Sequence, residues 1–300
     1  MRAALALGLL SGAGTLGHAQ TFQPGEILVS YYNGAKVQRY SSAGTLLQTF
    51  TGTGGEWTGL ALAPSGNLVT SYRSPGAGIN IFSPSGTQIV SFPAPRNGTA
   101  ADVGVFANGT IAFNDATNNT VQFWSQAGAL LQTVSLPGVS GPFGSTVGSD
   151  GILYVGGYLS NNLGRIDSNG NFLGLINLGF RPGDVEMNPL DGTLWVTGYD
   201  NQTVAHIQTN GTVLGSFFAG GGGFFSGIAL DEDYNSLYVT HGEGSSIQHF
   251  DLNGTLLGSF NLTSPNNPTF LTVVPVPEPG SIALLLIGLA RLAARCRLTV

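Results

Sequence analysis

The turn sequence SSAGTLLQTF, centred on Gly44, returns five times: SPSGTQIVSF at Gly86, SQAGALLQTV at Gly128, DSNGNFLGLI at Gly170, QTNGTVLGSF at Gly211 and DLNGTLLGSF at Gly254. Successive copies are 42, 42, 42, 41 and 43 residues apart. Within a period a second turn precedes an alternating strand, as in PSGNLVTSY, ANGTIAFND, SDGILYVGG, LDGTLWVTG and DEDYNSLYVTH. Four short strands then fit each period, for example Gly59 to Ala63, Asn67 to Tyr72, Gly78 to Phe82 and Gln88 to Phe92. Four strands in about forty residues predict a propeller blade. Solenoid periods are shorter, and a sandwich has no fixed period. The composition agrees with an all-β chain rich in turns: 46 glycines, 9% charged residues and a single lysine, Lys36.

The chain ends suggest how the ring closes. Gly25 to Val29 matches the second strand of the other blades, so the first blade lacks its innermost strand. Pro268 to Val274 follows the sixth turn and supplies one. Such a clasp removes the open sheet edge, and residues 20–275 read as one six-bladed domain with four-stranded blades. Ahead of it, residues 1–19 carry Arg2, an apolar run from Ala3 to Leu10 and small residues around His18 and Ala19, the pattern of a secretory signal peptide. The Sec export machinery and signal peptidase are its expected partners. The only cysteine, Cys296, lies in the C-terminal tail, so the domain has no internal disulfide and no cysteine metal site. Residues 20–276 set six bases against fifteen acids, which leaves no basic face for nucleic acid.

Gly227-Ile228-Ala229-Leu230, Leu237-Tyr238-Val239 and the turn Phe250-Asp251-Leu252-Asn253-Gly254 resemble NHL-type repeats. The resemblance covers all six periods and implies the six-bladed architecture. It leaves function open, since such propellers include binding scaffolds, lactonases and lyases.

With strands A to D running from the axis outward, the A-B and C-D turns share one face, called here the turn face. They are short and uniform. The B-C and D-A connections share the opposite loop face, where the repeats differ and binding is expected. Its B-C residues include Tyr32, Tyr72, Arg73, Asn114, Asp115, Tyr158, Tyr199, Asp200, His241 and Glu243, and its D-A residues Trp57, Phe143, Arg181, Asp184, Phe224 and Phe225. Rings flanked by carboxylates and amides suit a sugar, whose apolar face stacks while its hydroxyls find acceptors. The candidate ligand-binding set is Tyr32, Trp57, Tyr72, Arg73, Asp115, Tyr158, Tyr199, Asp200 and His241; the alternative is that several rings plug the channel and cover blade junctions. Asp184 and Glu186, two apart on an innermost strand, face the same side. With Asp102 in the equivalent place of another blade they form a candidate Ca²⁺ site, similar in outline to the axial metal of gluconolactonase-type propellers, although that family's full ligand set has no match here. Ordinary solvated or turn-capping carboxylates are the competing explanation. His241 and Glu243 in VTHGEGS are a candidate acid/base pair resembling those of propeller lyases; a plain surface-loop histidine is the alternative. Otherwise no cofactor is indicated, and no GxSxG, HExxH or phosphate-binding glycine loop occurs.

From residue 276 the pattern changes. Pro277, Glu278 and Pro279 precede an apolar run from Ile282 to Ala290, then Arg291, Arg295 and Arg297. A short apolar helix followed by arginines reads as a membrane anchor with its charges left in the cytoplasm. Residues 276–300 also resemble the PEP-CTERM sorting signal of Gram-negative bacteria. That resemblance implies recognition of Pro277, Glu278 and Pro279 by an exosortase, transient anchoring in the inner membrane, and delivery to the cell surface or medium. Its family is associated with exopolysaccharide and biofilm. The arginines are sparser than is usual there. The function expected from the whole sequence is that of an exported, non-catalytic propeller binding a surface or matrix component, with exopolysaccharide as the leading ligand. The competing expectation is a metal-dependent lactonase or lyase.

Overall fold

A computed structural model of the 300-residue chain describes residues 21–74, 76–94, 100–220, 225–263 and 267–276. The expected signal peptide, Phe224 and the sorting motif with its apolar run lie outside the described residues. The periodicity resolves into six four-stranded antiparallel sheets. Blade 1 takes β1 (Ile27–Tyr31), β2 (Lys36–Tyr40) and β3 (Leu46–Thr51); blade 2 takes β4 (Gly55–Leu62), β5 (Leu68–Ser74), β6 (Gly78–Phe82) and β7 (Gln88–Pro93). Blade 3 is β8 (Ala100–Val105), β9 (Ile111–Asp115), β10 (Thr120–Trp124) and β11 (Leu130–Ser135); blade 4 is β12 (Pro142–Val147), β13 (Ile152–Gly157), β14 (Asn162–Asp167) and β15 (Phe172–Asn177). Blade 5 is β16 (Pro182–Met187), β17 (Leu194–Gly198), β18 (Thr203–Ile207) and β19 (Val213–Phe218); blade 6 is β20 (Phe225–Leu230), β21 (Ser236–His241), β22 (Ser246–Asp251) and β23 (Leu256–Asn261). The last strand, β24 (Pro268–Val273), pairs antiparallel with β1, Ile27 opposite Val273 and Val29 opposite Leu271, and so completes blade 1 as expected.

The core consists of apolar layers between neighbouring blades. Val69, Ile79 and Phe92 of blade 2 meet Val103, Phe113 and Trp124 of blade 3, and comparable clusters fill the other junctions. At the rim the C-D turn of each blade sits on the outer strand of the blade before it. Gly128 shows why that turn needs glycine. Its φ is +85°, and a Cβ there would come within 2.9 Å of the Phe92 ring.

The N-terminal segment is tied down at the same seam. Arg39, buried, donates from Nε to Glu26 Oε2 at 2.7 Å and from Nη2 to Glu26 Oε1 at 2.6 Å, and Nη2 also reaches the Thr21 carbonyl at 3.0 Å. Gly25 N donates to Val274 O, and Val274 N returns a bond to Glu26 O. Both ends of the described chain therefore meet on the turn face.

Candidate functional site

Six inner strands surround the axis: β4, β8, β12, β16, β20 and β24. Each has a break in its pairing register at a similar height, for example between Trp57 and Leu60, Ala100 and Val103, Pro142 and Ser145, and Pro182 and Val185. Such irregularities leave backbone groups out of the ladder, and here Gly and Asp alternate beside them. In ring order the residues at this height are Gly59, Asp102, Gly144, Asp184, Gly227 and Phe270. The glycines admit their neighbours' backbones: a Cβ on Gly59 would lie 2.5 Å from the Asp102 Cα, and one on Gly227 would lie 2.9 Å from the Phe270 Cα.

The aspartates use the space. Asp102 Oδ1 accepts from Leu60 N at 3.3 Å, and Oδ2 accepts from Ser145 N at 2.9 Å and from the Ser145 hydroxyl at 3.3 Å, joining blades 2, 3 and 4. Asp184 Oδ2 accepts from Ile228 N at 3.0 Å and Oδ1 from Val185 N at 2.8 Å, joining blades 5 and 6. Both are buried. Burial pushes the Asp102 carboxyl up to about 7 despite the bonds it accepts. Burial, then repulsion from Asp102, drives Asp184 well above the ordinary carboxylate range. Burial and repulsion from Asp102 carry Glu186 up to about 8, against a hydrogen bond from Thr146.

Asp102, Asp184 and Glu186 do line one cavity, a well of about 290 Å³ whose other walls include Ser145, Thr146 and Asp231. The well reaches the turn face, because Ser149, Pro189 and Tyr234 form its rim. The Ca²⁺ expectation nevertheless finds no support: among the described residues no three acids, histidines or cysteines are grouped to hold a metal ion. The carboxylate oxygens of Asp102 and Asp184 are occupied by backbone N–H groups instead.

At the loop face the axis is shut. Phe143 on β12 and Phe270 on β24 come from opposite blades of the ring, and their centroids are 5.0 Å apart. Tyr158 and Tyr199 pack on Phe143 at 5.5 and 6.0 Å and on each other at 5.4 Å. These rings form a plug, as the competing reading of the loop-face aromatics anticipates.

The candidate ligand residues separate into two groups. Trp57, Tyr72, Asp115 and His241 are buried and are removed from the expected surface. The repeat alignment places Trp57 in a loop, but β4 begins at Gly55, so Trp57 pairs across to Tyr72, and its indole packs on Phe82 and donates to the carbonyls of Thr53 and Gly54. Asp115 caps its own loop by accepting from Thr117 N, Asn118 N and the Asn118 amide. His241 Nε2 engages Gln248 Oε1 at 2.7 Å inside blade 6, whereas Glu243 stands exposed, so the expected acid/base pair is split between interior and surface.

Of the remaining residues Tyr158 belongs to the plug, while Tyr32, Arg73, Tyr199 and Asp200 enter two half-exposed stacks on the loop face. The Arg73 guanidinium lies 4.7 Å from the Tyr32 ring centroid, with Nε 2.7 Å from Glu56. The Arg181 guanidinium lies 5.7 Å from the Tyr199 centroid and is paired with Asp200. Burial raises the Tyr199 hydroxyl above its usual range, and Tyr158 and Asp200 add to the shift. Glu56, absent from the sequence-based candidates, joins the first stack because Gly55 starts β4 early and φ of +52° at Glu56 turns it outward.

No known family model matches the chain, and no curated protein sequence does. Solved structures do. A streptogramin B lyase aligns with TM-score 0.66 and 19% identity over 84% of this chain and 85% of its own. A histidine-to-alanine, catalytically inactive virginiamycin B lyase from Staphylococcus aureus, solved with quinupristin, aligns with TM-score 0.65 and 16% identity over 83% and 86%. A chain of a nidogen/laminin complex aligns with TM-score 0.69 and 16% identity over 83% and 97%. The likeness is one of fold.

Proposed function

We propose that this chain is a non-catalytic binding propeller, presented outside the cytoplasm, that contacts a surface or matrix glycan through its loop face. The observation that supports this reading is the pair of half-exposed tyrosine–guanidinium–carboxylate stacks, Tyr32 with Arg73 and Glu56, and Tyr199 with Arg181 and Asp200. Each offers fixed donors and acceptors for a sugar's hydroxyls beside a tyrosine ring. They stand on a sealed end of the ring, so the ligand is held on the surface. Export rests on the sequence pattern at residues 1–19 and on the PEP-CTERM-like tail, with exosortase and inner membrane as transient partners.

The lyase neighbours motivate the competing reading. Against it stands the use made of the histidines among the described residues. His206 stacks on Trp195 at 4.2 Å and bonds Thr193, His249 stacks on Tyr238 at 4.2 Å and bonds Ser236, and His241 is buried. Burial lowers the first two below the ordinary imidazole range.

The test is binding of the purified protein to a glycan array and to exopolysaccharide of the producing cell, with the variants Tyr199→Ala and Arg73→Ala. Binding reduced by both substitutions is expected. Absence of binding by the unaltered protein, or streptogramin turnover, refutes the reading. Sorting is read separately, by cell fractionation with Pro277, Glu278 and Pro279 replaced by alanine; retention of the normal distribution refutes that part.

A further inference from the structure

The turn face is divided in a way the loop face is not. Across blades 2 to 4 runs a groove of about 780 Å³ with mainly apolar walls, including Phe22, Leu62, Pro64, Val105, Val147 and Pro275. It shares Leu62, Val105, Val147 and Pro275 with the rim and walls of the central well. Beyond the well, the A-B turns of blades 4 to 6 carry Asp150, Asp191, Asp231, Glu232 and Asp233, and no turn on this face carries a lysine or arginine. Lys36, Arg73 and Arg181 all lie at the loop face. An apolar trough thus leads past the well to a border where acids are in excess.

The described chain ends beside this trough. Pro275 lines both cavities, and Val276 follows it, exposed. The sequence that continues from there has the complementary order, first Ile282 to Ala290, apolar throughout, and then Arg291, Arg295 and Arg297. The fifteen residues from Pro277 to Arg291 reach about 22 Å as a helix and about 50 Å when extended.

We propose that the turn face is a docking site for this chain's own residues 277–300, the apolar run occupying the groove and the arginines meeting the acidic border. Before any membrane or protease takes the tail, the domain then shields its greasy segment from water and from other copies. Among the described residues the domain's own cations do little for these acids: Arg39 is spent on Glu26, and Arg165 lies near Tyr154, whose hydroxyl donates to Asp150, so the tail arginines are the partners proposed for the rest. Transfer to a bilayer requires the tail to leave the groove, so docking competes with anchoring. The inference stands apart from the glycan-binding reading and from the sorting outcome.

Cys296, the only cysteine, allows a direct test on the full chain in buffer without lipid or detergent. A paramagnetic tag on Cys296 is expected to remove amide signal intensity from the A-B turns around Asp150, Asp191 and Asp233, and to leave the loop-face amides around Tyr158 and Tyr199 intact. High salt, or Glu232→Lys combined with Asp233→Lys, restores the lost signals; among the described residues none donates a hydrogen bond to these two side chains, and an unchanged spectrum of the untagged variant verifies folding. Uniform broadening, broadening of the loop face, or no broadening overturns the proposal. So does broadening transferred to an isotope-labelled, untagged copy mixed with the tagged one, which assigns the contact to a second molecule.

Discussion

Asp102 makes the inner ring sensitive to pH in a direction opposite to that of most surface carboxylates. Its carboxyl titrates near the usual value of about 4 in the unfolded chain and is pushed up to about 7 in the fold. Between those values the folded state binds one proton more than the unfolded state, so stability is fullest in acid and is lost as pH rises through the folded value. The slope for one such group is about 1.4 kcal/mol per pH unit and halves at the folded value, which gives about 2 kcal/mol between pH 5 and pH 7. Glu186, raised to about 8, and Asp184, raised well above its usual range, act in the same direction. Asp102→Asn removes the titrating group and leaves an amide NH2 facing either Leu60 N–H or Ser145 N–H, at a cost of about 1–3 kcal/mol. At pH 5 the variant is therefore the less stable protein. By pH 8 the wild type has lost the contribution of Asp102, and the two curves meet or cross. The variant's remaining slope is also shallower, because Asp102 no longer repels Asp184 and Glu186. Urea unfolding at pH 5, 6, 7 and 8, with m-values compared to verify a common unfolding reaction, measures all of this. A wild-type stability that is flat or rises over that range, or an Asn variant with an unaltered slope, refutes the argument.

Gly128→Ala meets both a positive φ and the Phe92 ring, whereas Gly66→Ala meets a φ of +80° with nothing within 4 Å of the new Cβ. The Gly66 variant should lose about 1 kcal/mol and the Gly128 variant clearly more; equal midpoints in urea would remove the rim contact from the account. Ending the chain before Pro268 deletes β24 and leaves both β1 and the blade 6 junction open. Loss of the cooperative thermal transition and aggregation are expected, checked by circular dichroism and light scattering, and a folded monomer would show that closure is dispensable.

The architecture is legible in the sequence because every blade repeats the same two turns, and glycine spacing survives changes in everything else. Blade number, strand count and the closing role of Pro268 to Val273 all follow from it. Surface residues are harder to read. Trp57 and Tyr72 look like loop aromatics only if β4 starts at Gly59; four more residues of strand turn both rings into core. His241 and Asp115 are polar types at strand ends, and nothing in their immediate sequence distinguishes a group that faces solvent from one that bonds Gln248 or caps its own loop. Asp102 and Asp184 are the instructive case. Their position on the axis is readable from the strand alignment, but their chemistry depends on the glycines of the adjacent blades, some forty residues away. Aligning that single column across the six repeats, Gly59, Asp102, Gly144, Asp184, Gly227 and Phe270, is the signal that identifies them as struts.

That column also gives the ring a parity. The rim junctions follow one rule at every blade, so at its circumference the molecule has no preference for how many blades it holds. At the axis a large residue must face a glycine on either side, and the pattern repeats only every second blade. Gaining or losing one blade by duplication or deletion would set two glycines side by side, leaving a hole, or two bulky groups, leaving a clash. A ring of this design can grow or shrink only by pairs of repeats, which makes six a number maintained from the centre outward.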